Sequence, residues 1–131
     1  MSKIAVYGSL RKGMYNHSLI DHDGAKLVTQ MDLTLPYKMV PYSSFPALIA
    51  DENQNVITME IYEVDEPTYR RVEVLEGYPR FYDKDTFELE GEDVEFYYIP
   101  DKNGYFAQKF KEEDSIKDWV DYFKKHFKIY E

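Results

Sequence analysis

The chain has 131 residues, 44% hydrophobic and 17% aromatic, which predicts one compact domain over residues 1–131 and excludes a largely disordered protein. Its 16 basic and 25 acidic side chains give a net charge of −9, which argues against nucleic acids and anionic membranes as partners. The sequence has no cysteine and no apolar run of signal-peptide or membrane-spanning length, so we exclude thiol chemistry and expect a cytoplasmic protein with no membrane partner.

The first half of the chain is expected to be mostly β-strand. Apolar and β-branched residues alternate with polar ones in several short runs, which is the pattern of half-buried strands. Pro36, Pro41 and Pro46 are expected to interrupt regular structure in the middle of this half. The predicted elements are strands at 3–7, 25–35, 37–40, 47–49 and 56–64, with a single helical turn at 16–21.

The second half begins with a well-marked helix. Asp65 can cap it, Pro67 fits its first turn, and Gly77 can end it. Strands are predicted at 81–89 and 94–99, followed by a helix over 114–127. That last helix carries an apolar stripe of helical period, expected to be core unless it proves exposed as a partner surface: Ile116, Trp119, Val120, Phe123 and Phe127. Strands with interspersed helices predict an α+β domain whose sheet curls around a core.

Two local segments are candidates for binding or catalysis. Phosphate-loop, dinucleotide-binding, zinc-protease and serine-hydrolase motifs are missing from the sequence, and the scattered histidines predict no metal site. At 7–13, Gly8 lets the backbone turn sharply after a strand and present amide groups to a small anion. At 75–82, Glu76 occupies the last helical turn among aromatic residues, where carbonyl dipoles and burial both raise the pKa of its carboxyl group.

Together these segments resemble the gamma-glutamylcyclotransferase-like family. The resemblance rests on Y-G-S-L-R-K-G-M-Y-N at 7–16 and on L-E-G-Y-P at 75–79, followed by Tyr82. F-P-A-L at 45–48 and E-I-Y-E-V at 60–64 extend it over about residues 3–90. Two positions depart from the family pattern, because Met59 stands where glycine is usual and Glu73 where aspartate is usual. Met59 is expected to narrow or reshape the pocket.

The resemblance implies a curled mixed sheet or small barrel with flanking helices. It also implies an enzyme without metal or cofactor that cyclises a small γ-glutamyl amine or γ-glutamyl amino acid to 5-oxoproline. Glu76 is the implied catalytic acid and base, and the implied substrate-binding residues are Tyr7, Gly8, Ser9, Leu10 and Tyr82. Arg11 is expected to be solvated, and Glu60 is expected to have a structural role. The leaving amine and the oligomeric state stay open.

Two other functions compete with this one. The fold could serve as a small-ligand binding module without catalysis, with Met59 preventing productive binding. The acidic surface and the C-terminal apolar stripe could instead define a protein-interaction domain. The enzymatic hypothesis requires the 7–10 loop and Glu76 to face one cavity, with other walls supplied by the 36–50 region and the stretch after Gly91.

Overall fold

The computed structural model describes residues 1–127 and confirms the α+β class. Its strands are β1 (Ser2–Val6), β2 (Ala25–Tyr42), β3 (Phe45–Val64), β4 (Asp83–Leu89) and β5 (Glu92–Tyr98). Its α-helices are α1 (Glu66–Glu76), α2 (Tyr105–Lys109) and α3 (Trp119–His126), and 3-10 turns lie at His17–Leu19 and Lys102–Gly104. Within the described residues, no helix has the length and apolar character needed to cross a bilayer.

The strands form one mixed sheet in the order β2-β3-β1-β5-β4. The short first strand lies at its centre, antiparallel to β3 and parallel to β5. Ile4, Ala5 and Val6 are all buried, as expected for a central strand covered on both faces. The chain therefore leaves β1 at Val6 in the middle of the sheet, where the end of β1 lies between β3 and β5.

The prolines do not divide the first half into short strands, and that prediction is wrong. β2 and β3 are 18 and 20 residues long and form one hairpin joined by Ser43 and Ser44. Pro41 faces Pro46, so the missing N–H groups of both rings fall at the same pair. Pro36 lies at a register shift between Leu35 and Tyr37, where the ladder is already interrupted.

The long hairpin bends so that its outer half curls toward β5. The register moves from the pair Leu35–Asn55 to the pair Tyr37–Ala50, so four residues of β3 lie opposite one residue of β2. Beyond this bulge, the amide of Ile99 donates to the carbonyl of Leu48 at 2.8 Å. The bulge thus gives the sheet the curl expected from the sequence.

The predicted C-terminal helix is shorter than expected, because only its second half is helical. Before α3 the chain is hydrogen-bonded to the hairpin: the amide of Ile116 donates to Met39, and the amide of Thr58 donates to Lys117, both at 2.8 Å. Asp118 then caps α3. Trp119 is fully buried, so the apolar stripe is core and not an exposed partner surface.

Apolar residues cover both faces of the sheet. Alternate residues of β1 point to opposite faces, so Ile4 and Val6 belong to one cluster and Ala5 to another. The first cluster includes Tyr69 and Val72 of α1. The second includes Trp119 and Phe123 of α3 and Met59 of β3. The two helices therefore cover opposite faces of the sheet.

Candidate active site

Helix α1 ends immediately after Glu76. The side chain of Asp65 accepts a hydrogen bond from the amide of Thr68 at 3.0 Å, as predicted for the N-cap. At the other end Gly77 has a φ of 66°, a left-handed conformation in which glycine has no steric penalty, and its amide bonds back to the last turn. Lys84 of β4 contacts Glu73 at 2.7 Å and ties this last turn to the sheet. These contacts fix the position of Glu76 as the last residue of α1.

The loop after β1 is compact and leaves amide donors unused. The amide of Arg11 donates to the carbonyl of Gly8 at 3.0 Å, and Asn16 bonds to Ser9 through its backbone amide and its side-chain nitrogen, both at 2.9 Å. A Cβ on Gly8 would lie 2.8 Å from the Pro46 ring, so only glycine fits this approach. Within residues 1–127, the amides of Gly8, Ser9 and Leu10 donate to no protein acceptor. Three consecutive donors are therefore available to a ligand.

A cavity of about 320 Å³ separates this loop from Glu76. It brings together all six residues proposed from the sequence, namely Tyr7, Gly8, Ser9, Leu10, Glu76 and Tyr82. Phe45 and Pro46 supply a further wall from the hairpin, and Tyr97 supplies another from β5. These walls come from the two regions expected to form them. The roles of the individual residues stay predictions.

Glu76 is held in an environment that disfavours its charged form. The residue is only partly exposed, and within residues 1–127 its carboxyl group has no hydrogen-bond partner. Burial raises its pKa from 4.5 to about 7. At neutral pH both protonation states are therefore populated, so one group can accept and return a proton.

Four tyrosines line the cavity, and three of their hydroxyl groups are engaged with main-chain carbonyls. Tyr7 donates to the carbonyl of Tyr97 at 2.6 Å, Tyr82 to Pro46 at 2.9 Å, and Tyr15 to Ser44 at 3.1 Å. The hydroxyl of Tyr97 is buried and has no partner among the described residues. The sequence analysis missed Tyr97, because alternation along β5 marks it only as an inward-facing aromatic residue.

Arg11 is buried, so the prediction of a solvated side chain is wrong. It is 4% exposed, and its guanidinium contacts Glu60 at 2.9 Å and Asp118 at 2.7 Å. Glu60 also accepts hydrogen bonds from the amide of Lys12 at 3.0 Å and the hydroxyl of Tyr62 at 2.7 Å. These contacts agree with a structural role for Glu60. They join the 7–13 loop, the central sheet and the start of α3.

Met59 does not narrow the cavity, contrary to expectation. It is fully buried in the cluster that contains Trp119 and is not among the residues that line the cavity. Its side chain fills the face of the sheet covered by α3. The non-catalytic hypothesis therefore loses the steric reason for which it was raised.

Comparisons with known proteins identify the family. The family model described as "Gamma-glutamyl cyclotransferase, AIG2-like" matches residues 4–121. A Methanocaldococcus jannaschii protein named "Putative gamma-glutamylcyclotransferase" is 30% identical over 116 residues, which cover 82% of this chain and 92% of that protein. The chain therefore belongs to the gamma-glutamyl cyclotransferase, AIG2-like family.

Solved structures show the same fold. An uncharacterized protein from Pyrococcus horikoshii superimposes with a TM-score of 0.72 at 22% identity over the whole of both chains. A mouse AIG2-like protein superimposes with a TM-score of 0.64 at 27% identity, covering 76% of this chain and 77% of the mouse chain. The resemblance noted from the 7–16 and 75–82 segments is thus confirmed at the level of family and fold.

Proposed function

We propose that this protein is a gamma-glutamylcyclotransferase that converts a γ-glutamyl amine or γ-glutamyl amino acid to 5-oxoproline and a free amine. The observation that carries the proposal is the shared cavity, which is lined both by Glu76 and by Gly8, Ser9 and Leu10, whose amides have no acceptor within residues 1–127. Its volume of about 320 Å³ suits a small molecule. Family membership supports the same reaction class.

The substrate of this reaction supplies its own nucleophile. Its α-amine attacks the γ-carbonyl carbon and closes a five-membered lactam, while the bond from that carbon to the leaving nitrogen breaks. The protein must hold the chain bent, take a proton from the α-ammonium group and give one to the leaving nitrogen. The second proton lost by the α-nitrogen is taken up by the released amine, so the overall reaction needs no external acid or base.

Glu76 performs both proton transfers in this proposal. As a carboxylate it deprotonates the α-ammonium group, and as a carboxylic acid it protonates the leaving nitrogen. A pKa of about 7 suits both steps at neutral pH, and such general acid–base catalysis contributes about 10²- to 10⁴-fold. Holding amine and carbonyl together contributes more, about 7 to 11 kcal/mol of the barrier.

The 8–10 loop binds the α-carboxylate of the substrate in this proposal. Consecutive amide groups at the end of a strand form a small concave site that favours anions. These donors are backbone groups, so the net charge of −9 does not remove them. Phe45, Pro46 and Phe81 supply apolar parts of the remaining walls and surround the leaving group in this proposal.

The experiment uses a pair of glutamates on one helix. Glu76→Gln removes the proton carrier, whereas Glu66→Gln makes the same chemical change at the exposed start of α1. We measure 5-oxoproline release from a panel of γ-glutamyl amines and dipeptides. We expect Glu76→Gln to lose at least about 100-fold in kcat and Glu66→Gln to match the wild type. Turnover by Glu76→Gln at the wild-type rate, or no product from any substrate with the wild type, would refute the proposal.

A further inference from the structure

The cavity wall contains a buried hydrogen-bond donor without an acceptor. Tyr97 is 3% exposed, and within residues 1–127 its hydroxyl has no hydrogen-bond partner. Tyr7, Tyr15 and Tyr82 all donate to main-chain carbonyls. A buried polar group left unpaired is unfavourable and needs a structural or functional reason.

The same cavity contains an acceptor without a donor. The carboxyl group of Glu76 has no hydrogen-bond partner among the described residues. Tyr7, Tyr82 and Tyr97 are all close enough to feel its charge, which adds to the rise in their pKa values caused by burial. Of these three hydroxyl groups, only that of Tyr97 is not already donating.

The hydroxyl of Tyr97 is enclosed, which limits what can reach it. Its oxygen has almost no contact with solvent, and Tyr97 lines the same cavity as Glu76. Tyr97 remains protonated at neutral pH, because burial raises its pKa well above the ordinary value. It can therefore donate to a carboxylate but cannot accept a proton from the substrate.

We propose that Tyr97 is a positioning residue for Glu76, donating a hydrogen bond to its ionised carboxylate and directing the other oxygen toward the substrate amine. The inference rests on the proposed function of Glu76. The bond forms when Glu76 is ionised, since the charged group is the stronger acceptor. Protonation weakens it, so the carboxyl group is free to turn and deliver its proton to the leaving nitrogen.

Other groups around this pair have assigned partners. Lys84 of β4 contacts Glu73 at 2.7 Å and the Tyr69 hydroxyl at 2.6 Å. Tyr69 donates to Glu95 of β5. The titratable groups around Glu76 and Tyr97 come from four elements. They are Tyr69 and Glu73 of α1 with Tyr78 just after it, Tyr7 and Tyr15 of the loop after β1, Tyr82 before β4, and Glu95 of β5.

The test compares Tyr97→Phe with Tyr98→Phe, a matched change on the next residue of the same strand. Tyr98 belongs to the cluster on the opposite face of the sheet and is the control. We measure the pKa of Glu76 directly by ¹³C NMR of its side-chain carboxyl group, and the pH profile of kcat/KM for 5-oxoproline release. The wild-type profile should rise with pH up to the pKa of Glu76.

We expect Tyr97→Phe to raise the pKa of Glu76 by about one unit, since the carboxylate loses a donor. Below the wild-type pKa of Glu76, kcat/KM of Tyr97→Phe should be about tenfold lower than that of the wild type. Above the Glu76 pKa values of both proteins, this difference should shrink. Tyr98→Phe should leave both readouts unchanged. Thermal unfolding of Tyr97→Phe, measured below the pKa of Glu76, should occur no lower than in the wild type, because the hydroxyl then has no carboxylate to which it donates.

An unchanged Glu76 pKa in Tyr97→Phe would overturn the inference, even if the variant lost activity. The NMR measurement does not need turnover, so it separates this failure from failure of the proposed function. If the wild type makes no 5-oxoproline, the proposed function fails and the positioning role of Tyr97 in that reaction fails with it. If Glu76→Gln is inactive while Tyr97→Phe matches the wild type in both readouts, only this inference is wrong.

Discussion

Replacing Glu76 with glutamine should make the stability of the protein less dependent on pH. Burial raises the pKa of Glu76 in the folded protein to about 7, whereas 4.5 is the ordinary value that applies in the unfolded chain. Between these values the folded state binds more protons than the unfolded state. The contribution of this group to stability is therefore complete below about pH 4.5 and declines as pH rises to about 7. Glutamine carries no charge and has no such dependence.

The size of the effect follows from the two pKa values. One pKa unit corresponds to about 1.4 kcal/mol, so the rise from 4.5 to about 7 costs the wild type up to about 3 kcal/mol at alkaline pH. About 2.5 kcal/mol of this falls between pH 5 and pH 8. Relative to the wild type, Glu76→Gln should therefore gain about 2 to 2.5 kcal/mol in free energy of unfolding over this interval.

Urea unfolding at pH 5 and pH 8 measures this difference, with Trp119 as the probe. Trp119 is the sole tryptophan and is fully buried, so its fluorescence reports loss of the core. Other titrating groups act equally in both proteins and cancel when the variant is compared with the wild type. Glu66→Gln, on the exposed first turn of α1, is the control and should show no gain. A gain below about 0.5 kcal/mol in Glu76→Gln would refute a raised pKa for Glu76.

Two further substitutions test the support of the 7–13 loop. Arg11→Met should lower the free energy of unfolding by about 3 to 5 kcal/mol, because it leaves the carboxylate of Glu60 buried without its cation; urea unfolding measures this, and a loss below about 1 kcal/mol would contradict it. Gly8→Ala should cost about 1 to 3 kcal/mol in the same assay and reduce 5-oxoproline release, since its Cβ would lie 2.8 Å from Cγ of Pro46. An unaltered melting temperature in Gly8→Ala would show that the Pro46 ring moves aside at little cost. Gly13→Ala is unsuitable as a control, because Gly13 has a φ of 89° and alanine would be strained there.

The features predicted correctly from the sequence are those that depend on neighbouring residues. Asp65 and Gly77 mark the ends of α1 because capping is decided within one helical turn. The strand predicted at 56–64 coincides with the inner half of β3 because its alternating residues pack against a sheet. The site residues were found in a different way, through two short motifs, since neither the 7–13 loop nor Glu76 is distinctive by itself.

The features that were missed depend on partners far apart in the chain. Pro36 and Pro41 are compatible with a long hairpin only because one lies at a register shift and the other faces Pro46. Residues 115–118 have a helical pattern but are not helical. Instead, the backbone of this segment is hydrogen-bonded to Met39 and Thr58 of the hairpin. Arg11 is buried because Asp118, 107 positions later, completes its ion pairs. None of these partners can be identified from local sequence.

The meeting of Glu76 with the 7–10 loop follows from the lengths of two elements. β3 runs antiparallel to β1 and ends at Val64, opposite Ser2, so α1 starts near the beginning of β1. It ends at Glu76, which lines one cavity with the loop after β1. The 11 residues of α1 span about 16 Å, and the five residues of β1 span about the same distance. Both elements therefore end on the same side of the molecule, at the end of the central strand. Tyr97 also lies there, because β5 runs parallel to β1. The cavity lies where these three chain ends converge, and this is why residues 69 positions apart in sequence face one another.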